Sequence, residues 1–137
     1  MTPAERIRKI LTLCEASAIY EQLILLGKEA LPYPDNFKTP DRLIEGCQSE
    51  LYLMSEMKEG RLYFRCASEA LISKGIACFA TGLVDGLTPE EVLHYPFEEI
   101  RALKLPMILS PSRSSGLASV LKKIKMLALS ELLRSKE

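Results

Sequence analysis

Four cysteines punctuate this 137-residue sequence, and Cys47 stands in a setting unlike the others. It lies in Gly46-Cys47-Gln48-Ser49, a small polar loop that opens directly into the strand-like run Glu50-Leu51-Tyr52-Leu53-Met54. Glycine lets the backbone turn sharply and leaves room beside the sulfur. Gln48 and Ser49 offer small hydrogen-bonding groups in place of the apolar neighbours that enclose a packing cysteine. Cys47 is therefore the candidate nucleophile, weighed against the commoner case of a cysteine that caps a loop and packs beneath it. Its neighbours Glu45 and Glu50 are acidic and disfavour a thiolate if close, and the local sequence holds no evident base. Such a thiol suits chemistry in which the reaction partner supplies most of the activation, as when a persulfide on another protein is handed over by sulfur exchange.

The single histidine, His94, raises the alternative of a cysteine-dependent hydrolase or thiol transferase using Cys47 and His94. It falls at the C-terminal end of a predicted short helix, where backbone carbonyls favour an imidazolium, and that structural role explains it without catalysis.

The remaining cysteines fall inside apolar patterns. Cys14 closes a helical stripe after Ile7, Ile10 and Leu11. Cys66 shares a strand face with Leu62 and Phe64, and Cys78 lies between Ile76 and Phe79. All three are expected to pack in or near the core. Successive cysteines stand 33, 19 and 12 positions apart with no CxxC pair, which argues against a structural zinc site or an iron–sulfur cluster held by this chain alone. With 47% apolar residues there is no need of a disulfide scaffold, and reduced thiols in a cytoplasmic protein are expected.

The length and the even composition predict one domain over residues 1–137, able to bury roughly two-thirds of its unfolded surface. Lys plus Arg equals Asp plus Glu at 18 each, so no long-range attraction to nucleic acid or anionic lipid is encoded. The charged N-terminus has no apolar core of signal-peptide type, and the stretch from Ala70 to Val84 is too short to span a bilayer.

These patterns predict the elements that must position Cys47. Thr2-Pro3 starts a helix that runs to about Cys14. A second begins near Ser17 with Ile19, Leu23, Leu26 and Ala30 on one side and Gly27 as an internal weak point, until Pro32 and Pro34 stop it. Residues 32–46 form an ordered connection. Strands from Glu50 to Met57 and Arg61 to Cys66 flank the turn Lys58-Glu59-Gly60, and either a third strand from residues 42–46 or the helices complete the sheet. Ser68-Glu69 caps a central buried helix from Ala70 through Val84, ended by Asp85-Gly86. Thr88-Pro89-Glu90-Glu91 is a capping box opening a short helix through His94, and another short helix spans Phe97 to Leu103. The segment Ser110 to Gly116 leads into a last helix carrying Leu117, Val120, Leu121, Ile124, Leu127, Ala128 and Leu132, with Lys122, Lys123 and Lys125 as its solvated face. The fold class is α+β, a small antiparallel sheet covered by helices.

Taken in order, Tyr20…Leu26-Gly27…Leu31-Pro32, Ile44-Glu45-Gly46-Cys47-Gln48-Ser49, Ser68-Glu69-Ala70, Ile72, Lys74-Gly75, Leu87-Thr88-Pro89-Glu90 and Leu109-Ser110-Pro111-Ser112-Arg113-Ser114-Ser115-Gly116-Leu117 resemble the SufE family of sulfur-acceptor proteins across essentially the whole chain. Gly-Cys-Gln-Ser joined to Ser-Arg-x-x-Gly-Leu is far more specific than either motif alone. The resemblance implies a fold similar to that of the IscU scaffold. It also implies that Cys47 accepts sulfane sulfur from a cysteine desulfurase (SufS-like), holds it as a persulfide, and delivers it to an iron–sulfur assembly scaffold (SufB-like). Gly46, Gln48, Ser49, Ala67, Glu69, Lys74 and Arg113 are the implied supporting or partner-facing positions. The chain would carry no cofactor of its own, because pyridoxal phosphate belongs to the desulfurase. Three positions depart from the family pattern: Ala67 replaces an aspartate before Ser68-Glu69-Ala70, Ile44-Glu45 replaces Val-Pro, and Tyr52 replaces a tryptophan. The first removes a carboxylate that would sit near the cysteine loop.

Overall fold

A computed structural model describes residues 1–13, 15–45, 49–98, 100 and 110–135. Cys14, Gly46, Cys47 and Gln48 lie outside the described residues, as does most of the helix expected over Phe97 to Leu103.

The first helix, α1, spans Pro3–Thr12. The Thr2 hydroxyl accepts the Glu5 N–H at 3.1 Å while the Glu5 carboxylate accepts the Thr2 N–H at 3.2 Å, so two otherwise orphaned donors are satisfied reciprocally. It buries Ile7 and Ile10 and packs on α2, which spans Ala16–Lys28 and buries Ile19, Leu23 and Leu26. Arg6, although charged, is buried between these helices: it pairs with the Glu29 carboxylate and donates to Gln22 Oε1 at 2.7 Å.

The predicted hairpin is present. β1 (Tyr52–Lys58) and β2 (Arg61–Ala67) pair antiparallel from Tyr52 opposite Ala67 to Lys58 opposite Arg61. Glu59 and Gly60 form the two-residue loop, both left-handed at φ 51° and 78°, the combination whose twist matches the flanking strands. Leu53, Leu62, Phe64 and Cys66 point into the core as alternation requires. The expected third strand reduces to a single bridge, Leu43 to Tyr52, with the Ile44 N–H donating to the Leu51 carbonyl at 2.7 Å. Helices supply the rest of the cover.

The central helix α3 runs over Leu71–Gly82 and packs chiefly on α2. It begins later than the sequence suggests, because the Ser68 hydroxyl accepts the Ala70 N–H at 3.2 Å within a turn and does not cap the helix. Gly27 is no weak point: α2 passes through it unbroken, and a Cβ there would stand 3.2 Å from the Gly75 nitrogen. At Gly75 a Cβ would fall 2.1 Å from the Leu23 carbonyl oxygen, so these two glycines let the helix backbones touch.

α4 covers Pro89–Leu93 with the capping box formed by Thr88 and Glu91, and His94 is its exposed C-cap. The last helix, α5, spans Pro111–Ser135 and begins one and a half turns earlier than expected. Ser110-Pro111 is itself start chemistry: the Ser110 hydroxyl accepts the Arg113 N–H at 3.4 Å, and proline occupies the first helical position. Leu117, Val120, Ile124 and Ala128 face the core. Lys125 departs from the expected solvated face. Its ammonium donates to the carbonyls of Val92, Leu93 and Tyr95 at 3.0, 2.7 and 2.6 Å and lies 4.9 Å from the centre of the Phe97 ring. It thereby caps the C-terminus of α4.

Candidate functional site

The loop that carries Cys47 has a well-defined neck. Ile44 and Leu51, 5% and 2% exposed, are joined by the 2.7 Å hydrogen bond, so the two ends of this segment are held together at a buried base. The incoming strand is braced by a proline-rich connection containing two single-turn 3₁₀ helices, Asp35–Phe37 and Pro40–Arg42. The Tyr33 hydroxyl donates to the Phe37 carbonyl at 2.8 Å, Arg42 lies over the Phe37 ring, and Lys123 of α5 donates to the Asp41 carbonyl at 2.9 Å. Prolines and short local bonds make this connection an ordered support, as its composition predicts.

Ser49, the described end of the Gly-Cys-Gln-Ser motif, borders two cavities. One, of about 390 Å³, lies between α2, α3 and the start of α5 and is lined mainly by Ile24, Leu51, Ile72, Ile76, Leu117 and Val120, with Arg113 the one charged side chain among the described residues. The Arg113 guanidinium, half-buried, lies 5.5 Å from the centre of the Tyr20 ring, an arrangement that holds a cation beside apolar surface. Starting α5 at Pro111 is what brings Arg113 to this cavity from the helix's first turn, where the backbone's positive end adds to its charge.

The second cavity, of about 740 Å³, is polar and is bordered by Tyr33, Lys38, Ser49, Glu50, Ala67, Ser68, Glu69 and Lys74. Burial holds the Tyr33 hydroxyl neutral and pushes its pKa up to about 12, against the opposing charge of Arg42. Ala67, 8% exposed, stands at the end of β2 opposite Tyr52 and borders the same polar cavity as Ser49 and Glu50; it is the position at which the family resemblance implies an aspartate.

The structure thus gathers Ser49, Ala67, Glu69, Lys74 and Arg113 around the two cavities, while Gly46, Cys47 and Gln48 lie outside the described residues. His94 sits elsewhere. The carbonyls on either side of it are held by Lys125, twelve residues along α5 from Arg113, a rise of about 18 Å. Sequence reasoning missed Tyr33, Lys38 and Ile24 as cavity walls. The prolines around Tyr33 and Lys38 signalled order but not direction, and Ile24 lies off the stripe assigned to the core face of α2. Among the described residues no group of three or more His, Cys, Asp or Glu could hold a metal ion, and no helix is long and apolar enough to cross a membrane.

The α+β fold, a Gly-Cys-Gln-Ser motif whose described end, Ser49, borders an apolar cavity, and an arginine in the first turn of α5 define a class, and the comparisons agree. The chain belongs to the SufE family, described as an Fe–S metabolism associated domain, with the match covering residues 4–128. A SufE-like protein of Synechocystis sp. is 29% identical over 110 residues, which is 80% of this chain and 69% of that protein. SufE-like protein 1 of Arabidopsis thaliana, described as chloroplastic/mitochondrial, is 33% identical over 116 residues, 84% of this chain; the matched part is 31% of that longer protein. The fold is shared with the solution structure of a hypothetical protein from Thermus thermophilus, with a TM-score of 0.77 at 18% identity over 96% of each chain. Family membership places the chain in iron–sulfur metabolism.

Proposed function

We propose that this protein is a sulfur acceptor whose Cys47 takes sulfane sulfur from a cysteine desulfurase and passes it to an iron–sulfur assembly scaffold. The observation that carries the proposal is the position of Ser49. The motif's described end borders an apolar cavity in which Arg113 is the one charged side chain among the described residues, and the Ile44–Leu51 bond holds together the ends of the segment that contains Cys47. In the transfer, the Cys47 thiolate attacks the outer sulfur of a persulfide on the desulfurase cysteine. The sulfur–sulfur bond there breaks, the desulfurase cysteine leaves as a thiolate, and Cys47 becomes the persulfide; no external oxidant or reductant is consumed. The apolar cavity would shield the outer sulfur from competing thiols, and Arg113 would favour the anionic forms of thiol and persulfide. Lys38, Glu69 and Lys74, around the polar cavity, would face the partners. Pyridoxal phosphate stays with the desulfurase, and the chain works in the cytoplasm.

Lys125, which holds the carbonyls on either side of His94, stands about 18 Å along α5 from Arg113, and this supports the sulfur-acceptor reading over a hydrolase built on Cys47 and His94. The test is desulfurase stimulation by variants: Cys47→Ser should abolish it and His94→Ala should retain most of it. Loss of stimulation in folded, partner-binding His94→Ala would overturn the proposal in favour of the hydrolase-like pairing.

A further inference from the structure

Cys66 and Cys78 take no part in that transfer, yet they are more than packing residues. Cys66, 3% exposed, ends the core face of β2, and Cys78 lies half-buried on α3. The two residues are linked through one hydroxyl, because Thr81 Oγ1 donates to the Cys78 carbonyl at 3.3 Å. The Thr81 hydroxyl, one turn beyond Cys78, stands 3.9 Å from Cys66 Sγ and is fixed by its own 2.9 Å bond to the Ala77 carbonyl. Both residues line a cavity of about 230 Å³ between α1, α2, the end of α3 and β2, which offers room for a small molecule beside them. We propose that Cys66 and Cys78 form a second thiol centre, an oxidisable pair that reacts with a small hydroperoxide and closes into a disulfide.

The two thiols differ in a way that assigns their roles. The neighbouring Cys66 thiol and the Lys74 ammonium, four residues earlier on α3, lower the Cys78 pKa against the effect of burial, whereas the partner thiol and burial push Cys66 well up. Cys78, which is also the less buried of the two, is therefore the attacking thiolate. It takes one oxygen of the peroxide, the O–O bond breaks, and the other oxygen leaves as water after protonation, giving a sulfenic acid. Cys66 then attacks that sulfur, an S–S bond replaces the S–O bond, and a second water departs. Two thiols lose two electrons and the peroxide gains them. The disulfide requires the two sulfurs to close to about 2 Å.

The test uses the full chain carrying Cys47→Ser, so that the sulfur-accepting residue contributes nothing and failure of either proposal is separate from failure of the other. Three thiols remain of the original four. After hydrogen peroxide treatment of the folded protein, removal of peroxide and alkylation in denaturant, the labelled thiols should fall from three to one. The product should be two hydrogens lighter before labelling, and a linked peptide should join Cys66 to Cys78. Adding Cys66→Ala should strand the oxidation at a Cys78 sulfenic acid that dimedone captures. The same peroxide dose on protein unfolded in urea should show no preference for this pair. Three labelled thiols after native treatment, or a linkage involving Cys14, would overturn the proposal even if the alanine variant failed to fold.

Discussion

Residues set the character of this site through what they remove as much as through what they add. Ala67 is the clearest case: a carboxylate there could accept hydrogen bonds from amides of the adjoining loop, each worth roughly 1.5–3 kcal/mol, and hold it inward. Alanine makes no such bond. Ala67→Asp is expected to slow native alkylation of Cys47 and to weaken desulfurase stimulation, with alkylation of the unfolded variant correcting for direct repulsion between thiolate and carboxylate. Equal or faster native alkylation would dismiss the clamp. Lys125 shows the opposite case, a charge that the sequence pattern places in solvent but that the structure sets over three carbonyls at the end of α4. Lys125→Met keeps much of the stem and removes the ammonium. Urea unfolding should show a loss of about 1.5 kcal/mol, the low end for bonds to a charged group because water reaches this half-buried site. An unchanged midpoint would mean that water replaces the ammonium without cost.

At the scale of elements, the contact between α2 and α3 carries the frame on which the cavities hang. Gly75→Ala would drive a methyl to 2.1 Å from the Leu23 carbonyl oxygen, a backbone atom that cannot move alone. Thermal and urea unfolding should show a loss of about 1–3 kcal/mol or more. Gly27→Ala meets its neighbour at 3.2 Å, and the gain of up to about 1 kcal/mol in helix propensity offsets much of that crowding, so its change should be smaller. Equal effects at the two positions would contradict this account of the crossing. The elements themselves were largely legible. Thr2-Pro3 and Thr88-Pro89-Glu90-Glu91 are local signals that act within one turn, and both helices start where those signals stand. What was not legible is tertiary: Gly27 reads as a defect until Gly75 faces it, and the Ser110-to-Gly116 segment reads as a lead-in until it is found inside α5. The same limit held for the site. Gly46-Cys47-Gln48-Ser49 and Arg113 could be picked out by residue type, but Tyr33, Lys38 and Ile24 acquire meaning only through the fold that turns them toward the cavities.

For the molecule as a whole, balanced charge leaves recognition to local shape and to the few cations around the cavities, Lys38, Lys74 and Arg113. Family membership sets the metabolic context, and the cysteine loop sets the step proposed within it. The central claim is that Cys47, and no other cysteine, carries the incoming sulfur. The direct measurement is intact mass and peptide mapping, without reductant, after the reduced protein is incubated with a cysteine desulfurase and free cysteine. One added sulfur atom, located on Cys47, with Cys14, Cys66 and Cys78 unmodified, is the predicted result. A persulfide found mainly on Cys66 or Cys78, or no added sulfur while the desulfurase turns over, would contradict it.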